Sequence, residues 1–362
     1  MAREFRLWGT CCAHVTTDIQ FGRESLADPI RQSEFGGDEG GPSFDWDIAL
    51  NLGDFTGARY STPVDEEGEE VVRQFGVMEK HRREQVYTLC GNHDRNAPDD
   101  TEAWWFRKWV DPIGENTETS GVDPAKMPFP VEGSWERYRF SAGNLMFLMM
   151  SDVNETTLPH GRGERGGCPA GVVSQETFEW WKEMVDRFKD DYIIVTAHHY
   201  VLKETTVASG QWEGFSKDEN GNWVQEYHRY YPDAAPEGAS YLHWVGHKPD
   251  SGAFEEVLQS TPGATDLWLG GHTHTDPDDT RGGRTHVETK WNTHFVNVSA
   301  LTRFHGEKRS RPISRLFTFT DGSDEVKVQC YMHTSEHKPQ GWYDAVERTL
   351  KLSRPLQAPE GD

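Results

Sequence analysis

Leu89-Cys90-Gly91-Asn92-His93-Asp94 is the stretch on which the fold turns. The run before it, Gln85 to Leu89, reads as a buried strand. The run breaks at a glycine, and an amide oxygen, an imidazole and a carboxylate then follow in consecutive positions. A four-residue string recurs by chance, so its weight comes from its company. Upstream stand Cys12-Ala13-His14 and Gly53-Asp54; downstream come His198-His199 and Gly271-His272-Thr273-His274. Each of these closes a predicted strand. Ligands of open α/β sheets gather at the carboxyl ends of strands, and all five blocks lie there.

Composition bounds what such a chain can do. Its 362 residues permit one large domain or two small ones and can bury a sizeable core without staples. The apolar fraction is only 35%, yet there are fourteen tryptophans, which suits a globular protein with a very polar surface. A net charge of −23 argues against a long nucleic-acid footprint, which needs a basic face, and against docking on anionic membrane. Its simplest meaning is solubility. The cysteines, Cys11, Cys12, Cys90, Cys168 and Cys330, are odd in number and irregularly spaced, with no Cys-x-x-Cys. That pattern fits reduced thiols and a cytoplasmic location. The N-terminus runs straight into a strand-like segment, and no apolar stretch approaches ~18 residues, so neither a signal peptide nor a membrane span is expected.

Along the chain, Phe5 to Trp8 and Trp46 to Leu52 read as strands ahead of the first two blocks. Residues 20–43 read as loop with at most one helical turn, and 65–84 as an amphipathic helix with Val71, Val72, Phe75 and Met78 on its apolar face. A helix carries Trp104, Trp105 and Trp109. Trp135 to Phe140 and Leu145 to Met150 form a hairpin whose second strand is apolar throughout and therefore buried on both faces. Ser174 is the expected N-cap of a helix with Phe178, Trp181, Met184, Val185 and Phe188 on one stripe. Strands follow at Tyr192 to Thr196, Asp266 to Leu269, His294 to Leu301, Arg315 to Phe319 and Val326 to Tyr331. Helices alternate with strands early and hairpins come late, which reads as an α/β sandwich of two mixed sheets with helices outside.

The ordered blocks resemble the calcineurin-like metallophosphoesterases, whose pattern is Asp-x-His, Gly-Asp, Gly-Asn-His-Asp/Glu, a His after a strand, then Gly-His-x-His. Four blocks match in kind and the first in part, over residues 4–305. The resemblance implies a four-layer sandwich of two mixed β-sheets flanked by helices. It implies a catalytic domain over 1–335, with insertions near 111–171 and 203–250, and a C-terminal tail at 336–362. It implies two divalent or trivalent metal ions, with Fe, Zn or Mn as the candidates. Asp54 would bridge them, His14, His274 and the residue at Cys12 would serve the first, and Asn92, His198 and His272 the second. His198 is preferred to His199 because the first of such a pair is the usual ligand; His199 would then support it or face the substrate. The implied activity is phosphoric ester hydrolysis with His93 protonating the leaving alkoxide, while Asp94 either orients His93 or caps the next helix.

Two departures narrow the activity. The protein-phosphatase branch carries Gly-Asp-x-x-Asp-Arg, whereas this chain reads Gly53-Asp54-Phe55-Thr56-Gly57-Ala58, so a phosphoprotein substrate is disfavoured. A small phosphodiester is slightly favoured over a monoester; the alternatives are a nuclease or nucleotide phosphodiesterase, and a non-catalytic scaffold of the same fold. Cys12 stands where the pattern has Asp. It is a thiolate ligand, or a bystander with Asp18 or water in its place, or the mark of a weak first site. A soft donor would shift preference toward iron or zinc. Arg162, Arg165, Trp212, Tyr227 and His228 lie in excursions that could wall a substrate site.

Overall fold

The structure, a computed structural model, describes residues 2–58, 63–95, 101–153, 171–202, 205, 213–217, 219–220, 223–227, 242–246, 252–274, 276–278, 285–303 and 311–360. Arg162, Arg165, Cys168, Trp212 and His228 lie outside the described residues, as does the side chain of Tyr227.

The N-terminal part alternates strands and helices: β1 (Glu4–Thr10), α1 (Ala27–Phe35), β2 (Ile48–Asn51), α2 (Asp65–Phe75), β3 (Val86–Thr88), α3 (Trp104–Trp109) and α4 (Thr117–Ser120). β1, β2 and β3 pair in parallel, which is why long crossovers separate them. The middle supplies β4 (Glu132–Gly133), β5 (Arg137–Ala142), β6 (Leu145–Met150), β7 (Gly171–Val173), α5 (Gln175–Phe188), β8 (Ile193–Ala197), β9 (Glu213–Lys217), β10 (Trp223–Tyr227), β11 (Leu242–Val245), α6 (Ala253–Ser260), β12 (Leu267–Gly270), β13 (Val287–Lys290) and β14 (Thr293–Asn297). The chain then returns with β15 (Ile313–Thr320), β16 (Glu325–Met332), β17 (Gly341–Trp342) and β18 (Arg348–Lys351). One sheet runs β17-β16-β15-β1-β2-β3, with β18 also on β16; the other runs β13-β14-β12-β8-β6-β5-β4. Both mix parallel and antiparallel pairs.

Side-chain alternation sets the layers, because successive residues of a strand face opposite sides. Leu7, Leu50 and Phe317 of the first sheet meet Phe147, Val195 and Leu269 of the second in one core between the sheets. Their neighbours Trp8, Ala49 and Leu316 face the other way and are covered by Ile30, Val71, Phe75 and Phe106 of α1, α2 and α3. Met146, Leu148 and Trp268 face outward from the second sheet onto Trp181 of α5 and Phe254 of α6. Helices, sheet, sheet, helices: this is the expected four-layer α/β sandwich.

The structure differs from the sequence reading in four places. α1 replaces a loop. Its first two backbone N–H groups, on Leu26 and Ala27, donate to Gln74 Oε1 of α2 at 2.9 and 3.0 Å, so its cap comes from a distant segment. α2 stops at Gly76 rather than running to 84. Residues 111–171 are no simple insertion, since β5 and β6 within them pair in the second sheet. The expected tail supplies β17 and β18, and Leu350, Leu352 and Leu356 enter the inter-sheet core. No described helix is long and apolar enough to cross a membrane.

Candidate metal centre

Each block sits in the turn that leaves the carboxyl end of β1, β2, β3, β8 or β12. The turns are laced together: Cys12 N–H donates to the Gly53 carbonyl at 2.9 Å, His14 N–H to Asp54 at 3.0 Å and Gly271 N–H to His199 at 2.8 Å. Cys12, His14, Asp54 and His272 all take left-handed backbone conformations, with φ of 50°, 44°, 60° and 63°. For residues with a Cβ each such conformation costs about 1–3 kcal/mol and gathers at functional sites. Close approach also fixes two glycines. A Cβ on Gly53 would lie 2.3 Å from Gly91 N, and one on Gly91 would lie 2.3 Å from Asp54 Oδ1.

Asp94 holds these turns in place. Its Oδ2 accepts from Asp54 N–H at 2.8 Å and Gly91 N–H at 2.9 Å; its Oδ1 accepts from Phe55 N–H at 2.7 Å and Thr56 N–H at 3.2 Å. Both oxygens are thus committed to backbone donors, and among the described residues His93 is not one of the partners. Burial, then the Asp54 charge, pushes its pKa up to about 7, against the pull of the amide donors.

Backbone carbonyls decide which ring nitrogens face inward. A carbonyl can only accept, so the ring nitrogen it touches must carry the proton. His14 Nδ1 donates to Thr56 at 2.7 Å, His93 Nδ1 to Ala58 at 2.6 Å and His199 Nδ1 to Leu52 at 2.6 Å. In each neutral ring Nε2 therefore holds the lone pair, which is the arrangement of a metal-ligating histidine with its outer hydrogen bond made. Two of these atoms approach Asp54 Oδ2, His14 Nε2 at 3.7 Å and His199 Nε2 at 3.1 Å. At the 3.1 Å of His199 a lone pair facing a carboxylate calls for a proton or a cation between them. Burial lowers the His199 pKa, but Asp54 and then Cys11 outweigh it and hold the pKa well above the ordinary value.

His198 is the other way round. Its Nδ1 accepts from Tyr200 N–H at 3.0 Å, so the proton sits on Nε2, a buried atom with no hydrogen-bond partner. Burial, then the His199 charge, brings its pKa down to about 3. Among the described residues His199, and not His198, falls in a cluster of possible ligand atoms.

Among the described residues the donors fall into four overlapping groups of three, one of them Cys11, Cys12 and His199. Cys12, His14 and His274 bring one ligand atom each within 4.8 Å of one another, as do Asp54, His199 and His272. His93 is within the same reach of His14 and Asp54, and its ring meets the edge of His14 at a centroid distance of 4.7 Å. Asn92 is fully buried in the turn after β3. The buried Nε2 of His272 makes no hydrogen bond. A set of imidazoles, a thiol, a carboxylate and an amide fits two transition-metal ions of the iron or zinc type. Asp18 does not fill a gap beside Cys12: its carboxylate takes Arg23 Nη1 at 2.7 Å, Thr302 Oγ1 at 2.9 Å and Arg303 N–H at 2.9 Å.

Cys11 was counted among the cysteines but not offered as a site residue, although it adjoins Cys12. Its Sγ lies 3.1 Å from Cys12 Sγ and 3.5 Å from His199 Nδ1. Burial raises its pKa, but the Cys12 thiol and the His199 ring overcome that and bring it down to about 6. Cys12 is pushed up, first by burial and then by Cys11. The orienting carbonyls of Leu52, Thr56 and Ala58 leave no mark in sequence, since any residue carries one.

A family model described as calcineurin-like phosphoesterase matches residues 14–276. Among solved structures, the chain is similar to vacuolar protein sorting 29 of Cryptosporidium parvum, at 12% identity and a TM-score of 0.35, over 96% of this chain and 98% of that one. It is also similar to a single mutant of Vps29 from Entamoeba histolytica, at 9% identity and a TM-score of 0.33, over 96% and 99%. Vps29 of Chaetomium thermophilum gives 9% identity and a TM-score of 0.34, over 97% and 100%. The comparison with curated proteins gives no match.

Proposed function

The chain belongs to the calcineurin-like phosphoesterases, and from that premise we propose that it hydrolyses a small phosphoester at two metal ions shared by Asp54. One observation carries the reading: Asp54 Oδ2 has His14 Nε2 at 3.7 Å, His199 Nε2 at 3.1 Å and Cys12 Sγ at 3.8 Å around it. In this assignment Cys12, His14 and His274 hold the first ion, and His199, His272 and Asn92 the second. Such a pair, when bound, supplies an activated water near neutral pH and neutralises phosphate oxygens.

The chain's own residues do the rest. Asp94 fixes the turns from which Asp54 and Asn92 project. The Leu52 and Thr56 carbonyls keep the ligand rings in one tautomer. His93, with Nδ1 tied to Ala58, has Nε2 as its working atom. As imidazolium it gives the Nε2 proton to the departing alkoxide, worth ~10²–10⁴-fold. Retention of this histidine weighs against the scaffold reading.

The net charge of −23 supports a small substrate over a long nucleic acid, and leaves mononucleotides open. A diester is slightly favoured over a monoester. Cys11, Cys12, Cys90 and Cys330 are free thiols, which supports a reducing, cytoplasmic setting. Elemental analysis of protein never exposed to chelator should give more than one metal per chain. Paired chromogenic mono- and diesters should then show turnover, faster on the diester. Metal content near zero in folded protein, with no uptake of Mn, Fe or Zn, would refute the reading.

A further inference from the structure

Cys11 has no part in the roles assigned above, yet it lies against ligand candidates of both ions. Its Sγ is 3.1 Å from Cys12 Sγ, a candidate for the first ion, and 3.5 Å from Nδ1 of His199, a candidate for the second. The side chain is fully buried. Its place is closely shaped: a Cβ on Gly271 would lie 2.3 Å from Cys11 Sγ, so only glycine lets the turn after β12 close over the sulfur. The Leu52 and Gly53 carbonyls stand farther off, at 3.4 and 3.7 Å. Each already accepts a shorter bond, from His199 Nδ1 at 2.6 Å and from Cys12 N–H at 2.9 Å. The Cys12 sulfur is therefore the best acceptor within reach of the Cys11 thiol. The backbone N–H of His272 also bonds to that sulfur. Two donors converging on one sulfur suit a thiolate.

We propose that Cys11 is a positioning residue of the metal centre: its S–H donates to the Cys12 thiolate and sets how strongly that sulfur gives charge to the first ion. The inference rests on the reading of Cys12 as a ligand. A bound cation holds a coordinating sulfur as thiolate, so the proton between the two sulfurs belongs to Cys11. A hydrogen bond to a ligating sulfur draws charge from it, which is one way the surroundings of a metal tune it. Without that donor the sulfur is more electron-rich, and its charge-transfer transition falls to lower energy. The ion side of the pair is Cys12, whose Sγ lies 3.8 Å from Asp54 Oδ2. Cys11 instead touches Nδ1 of His199, the nitrogen opposite the one that faces Asp54.

Cobalt(II), added to the full-length protein after its own metals are removed, tests this through the thiolate-to-metal charge-transfer band in the near ultraviolet. The unmodified protein should show the band. Cys11→Ala should move it to longer wavelength at unchanged bound cobalt, and Cys11→Ser, which keeps a donor, should return it toward the parent position. A packing gap alone would loosen the metal without moving the band, so the shift and its rescue separate tuning from filling space. A band that stays in place in Cys11→Ala overturns the inference. So does one that loses intensity without moving, since Cys11 would then be a ligand itself. Loss of cobalt from Cys11→Ala that Cys11→Ser does not repair overturns it too. An unmodified protein without any band removes Cys12 from the first site and the inference with it. The two-metal reading is judged separately, by whether bound cobalt still exceeds one per chain.

Discussion

His199→Ala and His198→Ala form the sharpest pair of perturbations. In His199 the ring proton is committed to the Leu52 carbonyl at 2.6 Å and Nε2 faces Asp54 Oδ2 at 3.1 Å. In His198 the committed nitrogen is an acceptor for Tyr200 N–H at 3.0 Å, so its inward nitrogen carries hydrogen and offers no lone pair. Structural metal sites gain roughly 10–16 kcal/mol over about four ligands, or ~3 kcal/mol each. Losing one ligand should then cost ~100-fold in affinity. His199→Ala should weaken the second metal by about that factor. His198→Ala should leave metal affinity within about threefold, yet lower stability by ~1–3 kcal/mol through the orphaned Tyr200 N–H, and further through its cavity. Titration with a graded competing chelator measures the first effect and urea denaturation the second. If His198→Ala sheds the metal while His199→Ala retains it, the tautomer argument is wrong.

His93→Ala should keep both metals and lose ~10²–10⁴-fold in turnover, with a smaller loss on substrates whose leaving groups need no proton; loss of a metal would make His93 a ligand instead. Cys12→Ser should loosen the first metal, and should bleach any thiolate charge-transfer band of a ferric form, while Cys12→Asp should restore binding with an altered metal preference. Unchanged metal content and spectrum in Cys12→Ser would make Cys12 a bystander. Acid should weaken the metal-free protein through buried neutral histidines. His198 falls to about 3 and His333 lies well below 6.5, both through burial first. Below pH 6.5 the unfolded chain takes up protons that these folded rings refuse, so stability falls as pH falls toward their folded values. Each contributes about 1.4 kcal/mol per pH unit in that window. Denaturation midpoints at pH 7, 6 and 5 should drop accordingly, and less steeply in His333→Gln; a flat profile in the unmodified protein would count against it.

Local signals carried a large part of the fold. The unbroken apolar run Leu145–Met150, the Ser174 cap on Thr177 N–H at 3.0 Å and the strand-end blocks are written within a few residues of where they act. Their order and chemistry pointed to the layered sheets and to a metal-type donor set. What they could not settle depends on groups far away in sequence. α1 escaped notice because Gln74, forty-seven residues on from Ala27, supplies its N-terminal acceptor. β18 escaped because its short run becomes a strand only against β16.

The sequence by itself determined which residue types cluster and in which turns. Tertiary structure decided what each one does there. His198 and His199 are chemically identical neighbours, and the Leu52 carbonyl, at the end of β2 in the other sheet, takes the Nδ1 proton of His199 alone and turns its Nε2 toward Asp54. Asp94 looked like a partner for His93 until the turns after β2 and β3 brought four backbone donors to it. Asp18 was a stand-in for Cys12 only until Arg23 and Thr302 enclosed it. In each case a side chain's role follows from which lone pairs and protons remain after its hydrogen bonds are made. Those bonds are to backbone atoms or distant residues that no local pattern encodes.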